Sequence, residues 1–260
     1  MSENAATTLS LALSGGGARG IAHLGVLAAL DELGLPVGAL AGASSGAIAA
    51  TFYAAGFAPR EILRLLQATS IPRLTRPVFG GTGLLRLEAV GQLLGRHLGE
   101  ALRFEDLPRP LTLVATDLEA AESVYFSAGP LLPPLLASSA VPILYRPVEY
   151  QGRQLVDGGL LNNLPVEPLL PLGQPVVGVH CNPLNRMARL PSLRRVVERT
   201  LQIALSANVA LRKTQCALLL EPPALQQYRP LDFRKAEALF EVGYRYTLGQ
   251  AAELRALLAG

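Results

Sequence analysis

Leu9-Ser10-Leu11-Ala12-Leu13-Ser14-Gly15-Gly16-Gly17-Ala18-Arg19-Gly20 opens on a short apolar run, breaks into three consecutive glycines and resumes in small and apolar residues. A run of this length before a glycine turn reads as a buried strand, and the residues after the turn read as a helix from about Ala18 to Leu33, stopped by Gly34 and Pro36. The pattern then repeats. Val37 to Ala41 is a second strand, Gly42-Ala43-Ser44-Ser45-Gly46 a second turn, and Ser44 begins a helix that reaches Gly56. A right-handed crossover between two such units lays the strands parallel and sets both helix N-termini at one edge of the sheet.

Further along, helices are expected at Pro59 to Thr69 and Arg86 to Leu98, with Gly80-Gly81-Thr82-Gly83 between them as a candidate flexible loop near the site. Leu111 to Thr116 reads as a strand ending in Asp117, with Val124 to Ser127 as its hairpin partner, and Leu131 to Ser139 as a short apolar helix with prolines near its start. Val148 to Val156 is strand-like around a turn at Gln151-Gly152 and ends in Asp157-Gly158-Gly159. Val176 to His180 and Ala217 to Leu220 read as buried strands on either side of a helix from Leu193 to Leu211, and a last helix runs from Phe233 to Leu258. Strands alternating with helices predict an α/β fold, a three-layer α/β/α arrangement around a mostly parallel central sheet. The 260 residues show no composition shift or linker, so one domain over 1–260 is expected.

Composition narrows the function classes. Half of the residues are hydrophobic and 17% are charged, which predicts a compact globule. The net charge of +3 rests on arginine, because Lys213 and Lys235 are the only lysines, and no run of five basic residues occurs; this argues against nucleic acid as a partner. The densest basic cluster, Arg186 to Arg199, is broken at helical spacing by Leu190, Leu193, Val196 and Val197, the pattern of an amphipathic helix whose other use is docking on a membrane surface. Cys181 and Cys216 are isolated and read as buried, reduced thiols, and neither a metal nor a cofactor is expected. Met1-Ser2-Glu3-Asn4 is no basic leader, and no apolar run reaches the roughly 18–20 residues of a membrane span, so a cytoplasmic protein with at most peripheral membrane contact is expected.

The two turns carry the chemistry. Gly15, Gly16 and Gly17 offer backbone N–H groups at a helix N-terminus, where free amides and the helix dipole favour developing negative charge. Gly42 and Gly46 flank Ser44 in a G-x-S-x-G elbow that turns a strand sharply into a helix and exposes the hydroxyl. A serine hydroxyl is a weak nucleophile and needs a base. The candidates are Asp157, at a strand end before two glycines, and the three histidines.

Ser44, Asp157 and His180 stand in the chain order of an α/β-hydrolase triad, yet only one strand precedes the strand that carries Ser44, where those enzymes place several. His23, one turn into the first helix beside Leu24 and Val26, reads as packed, and His97 as surface. Arg19 faces the positive end of a helix dipole, which points to an anionic partner or to a carboxylate elsewhere in the fold. Gly15, Gly17 and Gly20 also satisfy the G-x-G-x-x-G of nucleotide sites, but the second strand ends in Gly42-Ala43-Ser44 without the acidic residue that holds a ribose.

Gly15 to Gly20, Gly42 to Gly46 and Asp157-Gly158-Gly159, in this order, resemble the three signatures of the patatin-like phospholipase family. The likeness takes in Ala115 to Leu118, Ala137 to Pro142 and Asn162 to Pro165, so it covers roughly 9–180 and fades beyond. The resemblance implies a serine lipid acyl hydrolase of phospholipase A, lysophospholipase or esterase type, acting on a lipid or fatty acyl ester. It implies a Ser-Asp dyad with Ser44 as nucleophile, Asp157 as base and no catalytic histidine. Gly16, Gly17 and Arg19 would then stabilise the oxyanion or hold the lipid phosphate.

A carboxyl near its ordinary ~3.9 is a feeble base, so the dyad requires a desolvated Asp157. Asp117 reads as a turn cap, and Asn162 and Asn163 as turn formers ahead of Pro165 at a helix start. Leu131, Leu132, Leu135 and Leu136 read equally as an acyl channel or as core. The rival from outside enzymology is a catalytically silent, lipid-sensing scaffold on the same fold.

Overall fold

The computed structural model describes residues 8–68, 76–77, 85–184, 191–230 and 232–259. The chain runs through β1 (Leu9–Leu13), α1 (Ile21–Glu32), β2 (Val37–Gly42), α2 (Ser45–Ala54) and α3 (Pro59–Ala68). A short antiparallel pair, β3 (Arg76–Pro77) with β4 (Leu85–Arg86), precedes α4 (Glu88–Leu98), β5 (Leu111–Asp117), β6 (Glu122–Phe126) and α5 (Leu132–Ser138). Next come β7 (Val148–Tyr150), β8 (Arg153–Asp157), β9 (Val176–Val179), α6 (Leu193–Lys213), β10 (Leu218–Leu220), α7 (Ala236–Leu248) and α8 (Ala251–Ala259).

The main sheet has the order β10-β9-β1-β2-β5-β8-β7, with β6 also paired to β5. From β10 to β5 every pairing is parallel; β6 and β8 meet β5 antiparallel, and β7 meets β8 antiparallel. The parallel centre explains the continuous apolar character of β1, since crossovers cover both of its faces. Leu9, Leu11 and Leu13 join the larger core with α1, α2 and α7, whereas Ala12, Ala39 and Ala41 face a smaller core closed by Leu164, Val166, Leu169 and Val209 of α6. Leu13 pairs with Gly42, so the two turns leave the sheet at one level.

Most of α1 is buried, which accounts for a helix apolar nearly all round. It packs between the sheet and α7, and the two helices cross where neither carries a side chain. A Cβ on Gly25 would run into the Phe240 carbonyl, and one on Gly243 into the Ala22 carbonyl.

Several boundaries differ from the sequence reading. The last helix is two helices, α7 and α8, separated at Gly249-Gln250, and a short 3₁₀ turn at Phe233–Lys235 precedes them. Pro165 starts no helix; turns lead from it to a 3₁₀ segment at Leu170–Leu172. Cys181 is buried as expected, Cys216 is partly buried against the smaller core, and both are free thiols. Gln151 and Gly152 both have positive φ, 51° and 71°, the pair demanded by the two-residue turn joining β7 to β8. Gly80 to Gly83 and Arg186 to Leu190 lie outside the described residues. No described helix is long and apolar enough to cross a membrane.

Candidate active site

Ser44 sits between β2 and α2 with φ 54° and ψ −124°, a backbone conformation that side-chain-bearing residues rarely adopt. The strain is held in place by its surroundings. The Ser44 amide donates to both the carbonyl and the Oγ of Ser138, each at 3.1 Å, and Gly46 is pressed so close to the end of β1 that a Cβ would meet the Leu13 carbonyl. The Ser44 side chain lies beside the Asp157 carboxylate.

Asp157, the last residue of β8, is buried, and burial pushes its carboxyl up to about 6 against the opposing hydrogen bonds from Ser44 and the Gly159 amide. The Gly159 amide donates to Asp157 Oδ1 at 2.8 Å, and the Asp157 amide donates to the Ala140 carbonyl at 2.9 Å. The stretch Ser138 to Ala140 therefore ties the backbones of both residues together.

The glycine turn lies alongside. A Cβ on Gly15 would approach Ser44 Cβ to 3.0 Å, so the two turns are in contact. Gly17 has φ +57°, the left-handed region, and a Cβ there would also strike the Pro230 carbonyl. The Ala18 amide donates to that same carbonyl at 2.6 Å and the Arg19 amide to Gly16 O at 3.2 Å. Among the described residues the amides of Gly15, Gly16 and Gly17 meet no acceptor, which leaves a cluster of free donors beside the Ser44 hydroxyl. The remaining motif glycines, Gly20, Gly42 and Gly158, are in close contact with Ser45 Oγ, the Ala47 backbone and the Val114 carbonyl respectively.

Arg19 is buried, and desolvation lowers its pKa. Its Nε donates to the Tyr228 carbonyl at 2.8 Å, and among the described residues it forms no ion pair with a carboxylate. Of the two partners the sequence allowed it, no internal carboxylate pairs with it among the described residues.

The histidines are occupied elsewhere. His180 Nδ1 donates to Glu221 Oε1 at 2.6 Å, and Lys213 Nζ shares that oxygen at 2.6 Å; burial lowers the His180 pKa. His180 hydrogen-bonds neither Ser44 nor Asp157. His23 is fully buried with Nε2 2.7 Å from the Ser14 carbonyl, and burial pushes its pKa down to about 4. His97 is exposed on α4.

Asp117 is a turn cap: its Oδ1 accepts from the amides of Glu119 and Ala120 at 3.0 and 3.3 Å, and its Oδ2 pairs with Arg153 at 3.0 Å. Desolvation pushes its carboxyl up, but the two amides and Arg153 together hold it below its ordinary value. Asn162 behaves as a turn former, with Oδ1 accepting from the Leu164 amide at 3.2 Å. Asn163 does more than that. Its buried side chain lies against Gly15 and Gly159 and so sits between the two glycine turns, with Nδ2 unpartnered among the described residues. Leu131 and Leu135 are core, and Leu132 and Leu136 pack against it. An apolar cavity of about 40 Å³ lies instead beside the glycine turn, lined by Gly17, Ile21, Leu24, Ile48, Leu66 and Phe233 among others.

Asn208 of α6 was invisible in the sequence. Its Nδ2 donates to the carbonyls of Gly159 and Leu160 at 3.0 and 3.2 Å, and its Oδ1 accepts from the Asn163 amide at 3.1 Å, so it clamps the turn after Asp157. No group of three or more His, Cys, Asp or Glu among the described residues is placed to hold a metal ion.

A strained serine turn beside a buried carboxylate, at one end of a mostly parallel sheet, defines the candidate site of an α/β protein. The model of the patatin-like phospholipase family matches residues 11–170, and the chain belongs to that family. An uncharacterised NTE family protein of Mycobacterium tuberculosis is 42% identical over 165 residues, which is 62% of this chain and 45% of that protein. Mouse patatin-like phospholipase domain-containing protein 6 is 27% identical over 277 residues, covering 92% of this chain but 20% of its own length. The chain thus spans less than half the length of these relatives.

Among solved structures, VipD from Legionella pneumophila superposes with a TM-score of 0.61 at 16% identity over 95% of this chain and 67% of that one. Human GIVD cytosolic phospholipase A2, in complex with methyl gamma-linolenyl fluorophosphonate, gives a TM-score of 0.50 at 14% identity over all of this chain and 60% of that one. Both show the same fold.

Proposed function

We propose that the chain is a serine lipid acyl hydrolase, a carboxylic ester hydrolase that cleaves fatty acyl esters through Ser44 and Asp157. The observation that carries this reading is Ser44, on a strained turn, beside a buried carboxylate with its pKa raised to about 6. At neutral pH that carboxylate is ionised and a better base than a solvated aspartate.

Ser44 Oγ attacks the ester carbonyl carbon while its proton passes to Asp157. The carbonyl oxygen becomes an oxyanion received by the free amides of the glycine turn. The tetrahedral species collapses, the proton moves from Asp157 to the departing alcohol, and the acyl group remains on Ser44. Water, deprotonated by Asp157, then attacks the acyl-enzyme and releases the fatty acid, and the proton returns to Ser44.

Such a protein works peripherally at membranes from the cytoplasm. Leu193, Val196, Ile203 and Leu211 of α6 are exposed, Leu193 at 79% and Leu211 at 73%, and at about 100° per residue they fall within one arc of the helix. Sedimentation with lipid vesicles is expected to fall when Ile203 and Leu211 are both replaced by Asp. Ser44→Ala and Asp157→Asn are each expected to abolish release of the alcohol from a chromogenic fatty ester while circular dichroism stays native. Full activity in Asp157→Asn would overturn the dyad.

A further inference from the structure

The peptide that joins Gly15 to Gly16 is gripped on its carbonyl side. Gly15 O accepts from Asn182 Nδ2 at 2.8 Å and from Ser14 Oγ at 3.0 Å. Ser14 Oγ is itself fixed, because it accepts from the Cys181 amide at 3.0 Å. Asn182 arrives from β9, whose parallel pairing of Val179 with Leu13 sets it beside the start of the turn. It lies beyond residues 11–170, the stretch that the family model matches.

No described peptide bond is cis, and in a trans peptide the N–H points away from the C=O. A Gly15 carbonyl held toward Asn182 therefore drives the Gly16 N–H the opposite way. That N–H meets no acceptor among the described residues. With glycine on both sides, the backbone itself has little preference between this peptide orientation and the flipped one. The choice falls to whatever holds the carbonyl.

We propose that Asn182 is a positioning residue that aims the Gly16 N–H at the oxyanion by holding the Gly15 carbonyl on the far side of the peptide. The inference rests on the reading of Gly16 as an oxyanion donor. Asn182 touches no substrate in this scheme. A carboxylate in its place has the same shape but no donor; it repels the Gly15 carbonyl and attracts the Gly16 N–H, so it favours the flipped peptide.

The test compares wild type, Asn182→Ala, Asn182→Asp and Ser44→Ala in steady-state hydrolysis of a p-nitrophenyl fatty ester and in the rate of labelling by a fluorophosphonate. Melting temperatures are measured alongside. Asn182→Ala, with Ser14 still in place, is expected to lower kcat about tenfold, and Asn182→Asp to lower it about 10²- to 10³-fold, the loss typical of a missing oxyanion donor. KM stays near wild type in both, because the interaction is gained only in the transition state, and labelling slows in step with kcat. Wild-type kcat in both variants, or a loss confined to KM or to melting temperature, overturns the proposal while an inactive Ser44→Ala leaves the nucleophile standing. An active Ser44→Ala overturns both.

Discussion

The carboxyl of Asp157 rests at about 6 because burial withholds water from it, and stability and catalysis then ask opposite things of it. The folded protein binds this proton more tightly than the unfolded chain, so the stabilisation is complete below about pH 4 and is lost as the pH rises through 6. Raising the pKa from 3.8 to about 6 corresponds to about 3 kcal/mol of preference for the neutral group in the fold. The substitution Asp157→Asn keeps the side chain neutral at every pH. Its melting temperature should match wild type near pH 4 and exceed it by roughly 5–10 °C at pH 8, measured by calorimetry across that range. Activity runs the other way: kcat/KM should rise to a plateau above a midpoint near pH 6, because the proposed base must be ionised.

Ser44, Asp157 and the glycines of the first turn could be read from the sequence because turn chemistry is local: three adjacent glycines and a G-x-S-x-G announce themselves within six residues. The groups that hold them could not. Ser138 reaches Ser44 across 94 residues, Asn182 reaches Gly15 across 167, and Tyr228 reaches Arg19 across 209. No local pattern marks an asparagine that will meet a carbonyl so far away. Asn163 was legible as a turn residue, whereas its place between two glycine turns depends on the pairing of β8 with β5.

At the scale of elements, α6 joins the smaller core to the turn that carries Asp157. Val209 is buried against the sheet, and one position earlier Asn208 holds the carbonyls of Gly159 and Leu160. Asn208→Ala leaves those carbonyls and the Asn163 amide without their protein partner, and should cost about 1–3 kcal/mol in urea unfolding. Because the Gly159 amide in turn holds Asp157, the same change should lower hydrolysis by roughly 10- to 100-fold, as small displacements of a reacting group do. The crossing of α1 and α7 tolerates even less. Gly243→Val forces a side chain into the Ala22 carbonyl and should destabilise by about 3 kcal/mol or more, since neither helix backbone can move without opening the core. The sequence reading placed both glycines within helices, but held no sign that they face one another.

For the whole molecule, the parallel pairing of β1 with β2 was legible because each leads into a helix through a glycine turn, and such units assemble by one handed crossover. The antiparallel half was legible as hairpins but not in its placement, which puts β8 against the end of β5 beside β2 and so brings Asp157 to Ser44. Residues beyond 180 supply β10, α6 and α7, and with them Leu220, Leu239 and Phe240 of the larger core. Each fully buried side chain of this size is worth about 1.5–3 kcal/mol, so the loss of all three is comparable with the roughly 5–15 kcal/mol stability of an ordinary domain, and α1 is uncovered as well. A chain cut after residue 192 should therefore lack a cooperative urea transition by circular dichroism, although it keeps Ser44, Asp157 and all three glycine motifs.

Leu13 and Gly42 face one another across two neighbouring strands, so the amides after one and the hydroxyl after the other leave the sheet a single interstrand step apart, about 4.8 Å. Main-chain hydrogen bonds set that step, and it does not change with the side chains around it. The sheet is a ruler ruled by its own ladder. Surface helices can be rebuilt around it, and the step between the Ser44 turn and the glycine turn stays as the ladder sets it.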